Sequence, residues 1–268
     1  MKKKILVLYL CTQYVSKKKF LKFLKFYKNY NAGINHRLLI CFKNFNINDL
    51  IFYRRKLKDL KYIEFLDSSK NNDYDFGSYY RVAKKYSDYL ILFMNDYSYP
   101  IKNNWLKIII KNYKSKSIIG TTASYQSISS DSKYRNNHDS ILTYFYKFFL
   151  YFFKFPIFPN PHIRTTNFLM HSKDFLKYDF PKNYKSKLEA WSVESGRNSL
   201  TNFFKRKKYH ILVVNSDGEV FKEKDWKKSV TYCYQKQSKL ILADKHTDKY
   251  LSLNKKDQVK KQMTVWGM

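Results

Sequence analysis

Residues 62–105 read YIEFLDSSKNNDYDFGSYYRVAKKYSDYLILFMNDYSYPIKNNW, and the order of segments within them limits the fold more than any other feature of the chain. An apolar run ends at Asp67. A polar loop carrying Asp75-Phe76-Gly77 follows, then a helical segment, a second apolar run (YLILFM), and Asn95-Asp96 at its exit. That order is strand, loop, helix, strand, acidic tip. Parallel strands covered by helices on both faces read as continuous apolar runs. Sheets of this kind bind ligands in the crevice outside the strands' carboxyl ends, so an acid just past a buried strand is placed for chemistry. The competing reading of Asp96 is a solvated turn after a core strand.

The alternation extends over the first half of the chain. Strands are predicted over residues 4–12, 36–42, 62–66, 89–94 and 117–124, the last with Gly120 inside it. Helices are predicted over residues 16–30, 75–86 and 105–113. In the first helix Phe20, Leu21, Phe23, Leu24 and Tyr27 are spaced for one apolar face. Asp75 suits the start of the second, where a carboxylate meets the unpaired amides. Strands and helices alternating at this spacing predict an α/β fold with a mostly parallel, Rossmann-like central sheet flanked by helices. A chain of 268 residues fits one such domain with an elaborated second half, and no repeat or linker divides it.

That second half opens with a polar stretch, residues 126–138, predicted as a mobile loop. Residues 141–159, ILTYFYKFFLYFFKFPIFP, follow as the most aromatic segment. Lys147 and Lys154 interrupt it and Pro156 and Pro159 close it, so the ~20 clean apolar residues of a membrane span are not available. Two readings remain for it. One is an interfacial helix, since aromatics with lysines suit the headgroup boundary and an anionic leaflet attracts a basic surface. The other is a helix packed on the sheet or a dimer contact. Residues 162–175 then read as strand-like, Glu189 and Glu194 flank Trp191, a helix is predicted over 198–208, and an apolar strand ends at Val214. The Lys- and Gln-rich tail from residue 226 is predicted to wrap the surface in helical stretches.

The formal charge of +31, from 52 Lys and Arg against 21 Asp and Glu, makes the partner anionic without choosing among nucleic acid, a membrane and phosphorylated small molecules. Cys11, Cys41 and Cys233 are far apart and show no metal-ligand or disulfide spacing, so they read as small buried hydrophobes in a reducing compartment. The run after MKKK is too short, and lacks the cleavage site, for a signal peptide. The six histidines show no i, i+4 pair, and no GxGxxG, GxxxxGK[ST] or GxSxG occurs.

The Asp75-x-Gly77 loop, the helix ending in Ala83 and Tyr86, and YLILFMND followed by Pro100 and Trp105 together resemble the nucleotide-sugar half of inverting, family-2-like glycosyltransferases of the GT-A fold. The resemblance covers residues 1–125 well and thins beyond them. It implies a nucleotide-sugar-binding half over 1–125, an acceptor-binding half of the same domain over 126–225, and a C-terminal helical tail over 226–268. The implied activity moves a sugar from a nucleotide-diphosphate donor to a glycan or lipid-linked acceptor in surface polysaccharide synthesis. The implied place is the cytoplasm, with peripheral contact to the inner face of the membrane through residues 141–159.

Under that resemblance, Thr12, Tyr14, Asp75, Gly77, Asn95 and Asp96 contact the nucleotide sugar, with Gly77 letting the backbone come close. The family's base is an Asp or Glu opening a helix in the acceptor half, which Glu194 matches first and Glu189 second. A carboxylate suits that role when partial burial raises its pKa. His162, Arg164, Thr165, Asn167 and Arg197 are candidates for holding diphosphate or acceptor, the arginines because their planar fork matches phosphate oxygens. One departure bears on cofactors. Tyr97 stands where the family places a second, metal-binding aspartate, and tyrosine is a poor ligand for Mg²⁺ or Mn²⁺. A metal held by Asp96 and a metal-independent reaction both stay open. So do two rivals: a basic nucleic-acid-binding protein whose 25 tyrosines stack on bases, and a non-catalytic relative. No recognisable nucleic-acid module is present and the lysines are spread along the chain, which weighs against the first.

Overall fold

A computed structural model of the chain describes residues 4–69, 71–131 and 140–267. Most of the polar stretch expected to be a mobile loop, residues 132–138, lies outside the described residues.

The first half alternates as expected: β1 (Ile5–Thr12), α1 (Lys17–Asn29), β2 (Arg37–Lys43), α2 (Ile47–Leu57), β3 (Tyr62–Asp67), α3 (Tyr74–Lys85) and β4 (Leu90–Met94). After it come β5 (Tyr99–Pro100), α4 (Trp105–Lys111), β6 (Ser117–Gly120) and β7 (Ala123–Ser124). The second half holds α5 (Ile141–Lys154), β8 (His162–Ile163), β9 (Asn167–His171), α6 (Ser172–Phe175), α7 (Lys187–Ser195), α8 (Leu200–Arg206) and β10 (His210–Val214). The chain finishes with β11 (Val220–Phe221), a 3₁₀ turn, β12 (Leu242–Ala243), α9 (Lys245–Ser252) and α10 (Lys255–Trp266).

One eight-stranded sheet, in the order β11-β10-β6-β9-β4-β1-β2-β3, runs through both halves. The pairs β1/β2, β1/β4, β2/β3 and β6/β10 are parallel, whereas β9 is antiparallel to both β4 and β6. The fold is therefore α/β, with a mostly parallel Rossmann-like sheet between helices, as the alternation of segments predicts. Successive residues of β1 point to opposite sides. Leu6, Leu8 and Leu10 enter one core with Phe93, Phe168 and Phe175, while Val7, Tyr9 and Cys11 enter the other with Phe20, Phe23 and Trp105. All three cysteines are free and buried.

Four expectations change. Helix α2 was not foreseen; Leu50, Tyr53 and Leu57 form its buried stripe. The strand predicted over 117–124 is two strands, because the Ile163 side chain fills the space above Gly120 and β7 turns out of the sheet to pair with β8. The helix predicted over 198–208 starts at Leu200, capped by the Ser199 hydroxyl, which accepts from the Asn202 N–H. The tail does not merely wrap the surface. Leu240, Ile241 and Leu242 are buried, β12 pairs with β5, and Trp226 and Tyr250 lie in the core.

The loop between β3 and α3 is fixed by buried charge. Arg81 Nε and Nη2 donate to Asp67 at 2.8 and 2.6 Å, and Nη1 donates to Asp73 at 2.6 Å. Lys43 Nζ donates to Asp73 and to the Tyr74 carbonyl. Burial alone would raise the Asp67 carboxyl, but the Arg81 and Ser78 hydrogen bonds overcome it and hold the group below its ordinary value. Removing one partner of a buried ion pair leaves an uncompensated charge at a cost of ~3–5 kcal/mol. Arg81→Met should therefore lose about that much stability in urea denaturation. Arg54→Met, which breaks an exposed pair with Glu64, should change it little. Equal effects from the two variants would contradict this account of the loop.

Candidate active site

Strand order reverses direction at β1, which lies between β2 and β4, so a crevice opens at the carboxyl ends of β1 and β4. The chain places Thr12 at one lip and Asp96 at the other. Thr12 Oγ1 donates to Asp96 Oδ2 at 2.7 Å, and the Tyr9 hydroxyl donates to the Asp96 carbonyl at 2.9 Å. Asn95 shapes the turn: its Oδ1 accepts from the Tyr97 N–H at 3.2 Å and from Ser98 Oγ at 2.9 Å. The acid is thus held by both flanking strands before any ligand arrives.

The charge of Asp75 reaches Asp96 and that of Glu194 reaches Asp75, so the three carboxylates share this crevice although nearly 120 positions separate Asp75 from Glu194. Burial, then the charge of Asp75, pushes the Asp96 carboxyl up to about 7. Burial also raises Asp75; the charges of Lys43, Lys245 and Lys187 oppose the rise and that of Glu194 adds to it. Two crowded carboxylates of this kind hold a proton unless a cation relieves them. Lys245 begins α9 and sits over the Tyr97 ring, 4.1 Å from its centroid. Where the family resemblance expects a second carboxylate to hold a cation, this chain has an aromatic face that positions a cationic side chain. Among the described residues no group of three or more His, Cys, Asp and Glu side chains could hold a metal ion.

The half expected to bind acceptor contributes β8, β9 and α7 to the crevice. Glu194 lies in the last turn of α7, not at the opening of a helix as expected, and its Oε1 accepts from the Thr165 N–H at 3.0 Å. His162 is buried, its Nδ1 2.8 Å from the Asn160 carbonyl, and burial lowers its pKa against the opposing charge of Glu194. Arg164 is also buried. Its Nη1 donates to Asp244 at 2.9 Å and its guanidinium stacks 4.1 Å from the Tyr232 ring centroid. Burial would raise the Asp244 carboxyl, but the Arg164 charge prevails and holds it down to about 2.

Several expected contacts have structural work instead. Arg164 is committed to Asp244, and Arg197 closes the end of α5, its Nε and Nη2 donating to the Phe153 and Phe152 carbonyls at 3.1 and 2.9 Å. Neither points a free fork at a diphosphate. Glu189 accepts from the Lys185 N–H at 2.7 Å and steadies the start of α7. Asn167 is buried against Thr121 and Ser98. Gly77 does not clear room for a ligand: a Cβ there would stand 1.9 Å from the Asp73 carboxylate. Tyr14 is 83% exposed beyond the crevice. Lys245 was missed, although the sequence carries its signal. The run Leu240-Ile241-Leu242-Ala243 ends in Asp244, a second short apolar run with an acid at its exit.

No protein-family model matches the chain, and no curated protein matches it. Solved structures to which it is similar include HddC from Yersinia pseudotuberculosis, with 12% identity, 75% of this chain and 97% of that chain covered, and a TM-score of 0.42. The apo-form glycosyltransferase GlyE in Streptococcus pneumoniae has 10% identity, covering 78% of this chain and 45% of its own, with a TM-score of 0.42. This chain thus spans less than half of GlyE. The mannosyltransferase Ktr4p from S. cerevisiae in complex with GDP has 12% identity, covering 78% and 69%, with a TM-score of 0.39.

The crowding of Asp96 has a measurable consequence. Its folded carboxyl titrates near 7 while an unfolded one titrates near ~3.9, so between these values the native state holds the extra proton and stability falls as pH rises. Asp96→Asn keeps an acceptor for Thr12 and removes the buried charge. The ligand-free variant should gain on the order of 1–3 kcal/mol over wild type at pH 8 and much less at pH 5, read by thermal denaturation. A variant less stable at pH 8 would show that Asp96 is not crowded.

Proposed function

We propose that this chain is a nucleotide-sugar-dependent glycosyltransferase that transfers a hexosyl group with inversion to a glycan or lipid-linked acceptor in surface polysaccharide synthesis. The observation that carries the reading is the meeting of Asp75, Asp96, Glu194 and Lys245 at the switch point of the sheet. Asp75, partly exposed at the start of α3, accepts from the nucleoside, and Thr12 and Asp96 frame the diphosphate. Lys245 supplies fixed positive charge where leaving-group charge develops. Asp96 is the carboxylate that would hold Mg²⁺ or Mn²⁺; such ions take one or two carboxylates plus phosphate oxygens and would neutralise diphosphate charge there.

Glu194 is the base. It takes the proton of the acceptor hydroxyl as that oxygen bonds to the anomeric carbon, and the bond from that carbon to the diphosphate oxygen breaks. The nucleoside diphosphate leaves carrying the electron pair. The Thr165 N–H orients the Glu194 carboxylate by holding one oxygen, which leaves the other for the proton. The acceptor approaches from the side of β8 and α7, opposite Asp75. No helix among the described residues is long and apolar enough to cross a membrane. The exposed aromatics of α5 support a lipid-linked acceptor that is met peripherally, at the cytoplasmic face.

UDP, GDP or dTDP should raise the melting temperature, and single-stranded oligonucleotides at physiological salt should not. The reverse ranking would favour nucleic-acid binding. EDTA should reduce the nucleotide shift if Asp96 holds a metal through the diphosphate, and Lys245→Met should reduce it with or without EDTA. Glu194→Gln keeps an acceptor for Thr165, so the nucleotide shift should persist while transfer falls by about 10²–10⁴-fold. A fully active Glu194→Gln would remove it as the base, and nucleotide binding without transfer to any acceptor by wild type would make the chain a binding protein.

A further inference from the structure

Helix α5 buries no side chain fully and leaves one apolar face open. Ile141, Leu142, Tyr146, Phe149 and Phe153, together with Ile157 beyond its end, are each more than half exposed, contrary to the reading of this segment as a core helix. Its 14 residues span ~21 Å, too short to cross ~30 Å of hydrocarbon and long enough to lie flat in an interface. A second helix adjoins it. The C-terminal end of α10 is fixed by the Tyr125 N–H donating to the Val265 carbonyl at 3.0 Å and by Trp266 Nε1 donating to Tyr232 at 2.8 Å. Residues 125–129 in turn hold the segment that leaves α5, through Asn160 N–H to the Tyr125 carbonyl at 2.8 Å and Ser129 Oγ to the Pro156 carbonyl at 3.0 Å. The Phe158 ring rests against Gly267. With this inner face of α10 pinned, its outer face shows Lys255, Lys256 and Lys260 around exposed Val259 and Met263.

We propose that α5 and α10 form one composite surface that docks on an anionic lipid bilayer, α5 inserting aromatics at the headgroup boundary and α10 contributing cationic contacts. Charge complementarity selects this occupant. A second copy of a chain carrying a formal charge of +31 is repelled by that face, whereas an anionic leaflet is attracted. The surface also reaches the candidate site. Arg197, three residues past Glu194, closes the last carbonyls of α5, so the docked helix and the end of α7 move as one piece. The inference deepens the glycosyltransferase reading, on which it rests for its purpose, by naming the bilayer as the place where the acceptor is met.

The test is co-sedimentation of the full chain, without nucleotide, with phosphatidylcholine vesicles and with vesicles containing about one-third phosphatidylglycerol. Wild type should bind the anionic vesicles at least about tenfold more tightly, and 0.5 M salt should weaken that binding strongly, on the order of a ~4 Å screening length. Lys256→Glu with Lys260→Glu should lower anionic-vesicle binding by about tenfold or more. Phe149→Ser with Phe153→Ser should lower binding to both vesicle types. Equal wild-type binding to neutral and anionic vesicles, or undiminished binding of the lysine variant, would overturn the proposal. A dimer in light scattering that dissociates in the phenylalanine variant would also overturn it and assign the face to a second copy. The melting-temperature shift with nucleoside diphosphate should be the same in wild type and both variants, so loss of vesicle binding and failure of the donor-site reading are separately visible.

Discussion

A fully buried carboxylate, Asp244, ties the C-terminal tail to the loop between β8 and β9. It receives Arg164 from the loop between β8 and β9, and its Oδ1 accepts from the His246 and Thr247 N–H groups at 2.7 and 3.0 Å to start α9. Immediately before it, β12 pairs with β5 beside the turn that carries Asp96. Immediately after it, Lys245 is delivered over Tyr97. Without a partner, a charge at that depth would be strongly unfavourable, so Arg164 and Asp244 are each the condition for the other's burial. The position of Lys245 over the crevice follows from that pair together with the capping box by which Asp244 and Thr247 start α9.

The candidate site divides its electrostatic task by origin. The carboxylates come from the exits of strands and starts of helices in the first half and from the end of α7, while the exposed cations come from α7 and α9. Burial raises both Asp75 and Asp96, the charge of Asp75 raises Asp96 further, and Lys245 opposes the rise at both. Tyr97 explains why a chain lacking the expected second aspartate need not lack positive charge at that point. Its ring face attracts an ammonium as a carboxylate would, more weakly and without coordinating a metal.

Much of the first half was legible because local pattern and global fold agree there. The apolar runs of β1 and β4 are buried on both faces, so they read as strands by composition alone, and Asp96 follows directly from its place after β4. Asp75 lies in the first turn of α3 as its place in the sequence suggested, whereas Glu194 ends a helix and does not open one. The roles of Arg164, Arg197, Glu189 and Asn167 were not legible. Each is a polar residue whose partner lies far away in sequence or is a backbone carbonyl or amide, and residue type carries no mark of which it will be. Gly77 was singled out for close approach of the backbone to a ligand, but what presses on it is the Asp73 carboxylate, whose burial depends on Lys43 and Arg81.

The antiparallel placement of β9 between β4 and β6 sets an order of assembly. The unit β3-β2-β1-β4 is complete once residue 94 is made, yet the outer edge of β4 waits for residues 167–171. At a ribosomal pace of about 5–20 residues per second, the intervening ~70 residues leave that edge, the run LILFM, unpaired for roughly 4–15 s. An apolar strand edge exposed for that long is a template for pairing with another nascent chain. Slower growth temperature or a holding chaperone during synthesis would therefore govern how much of this protein reaches the folded state, independently of how stable that state is once β9 has closed the sheet.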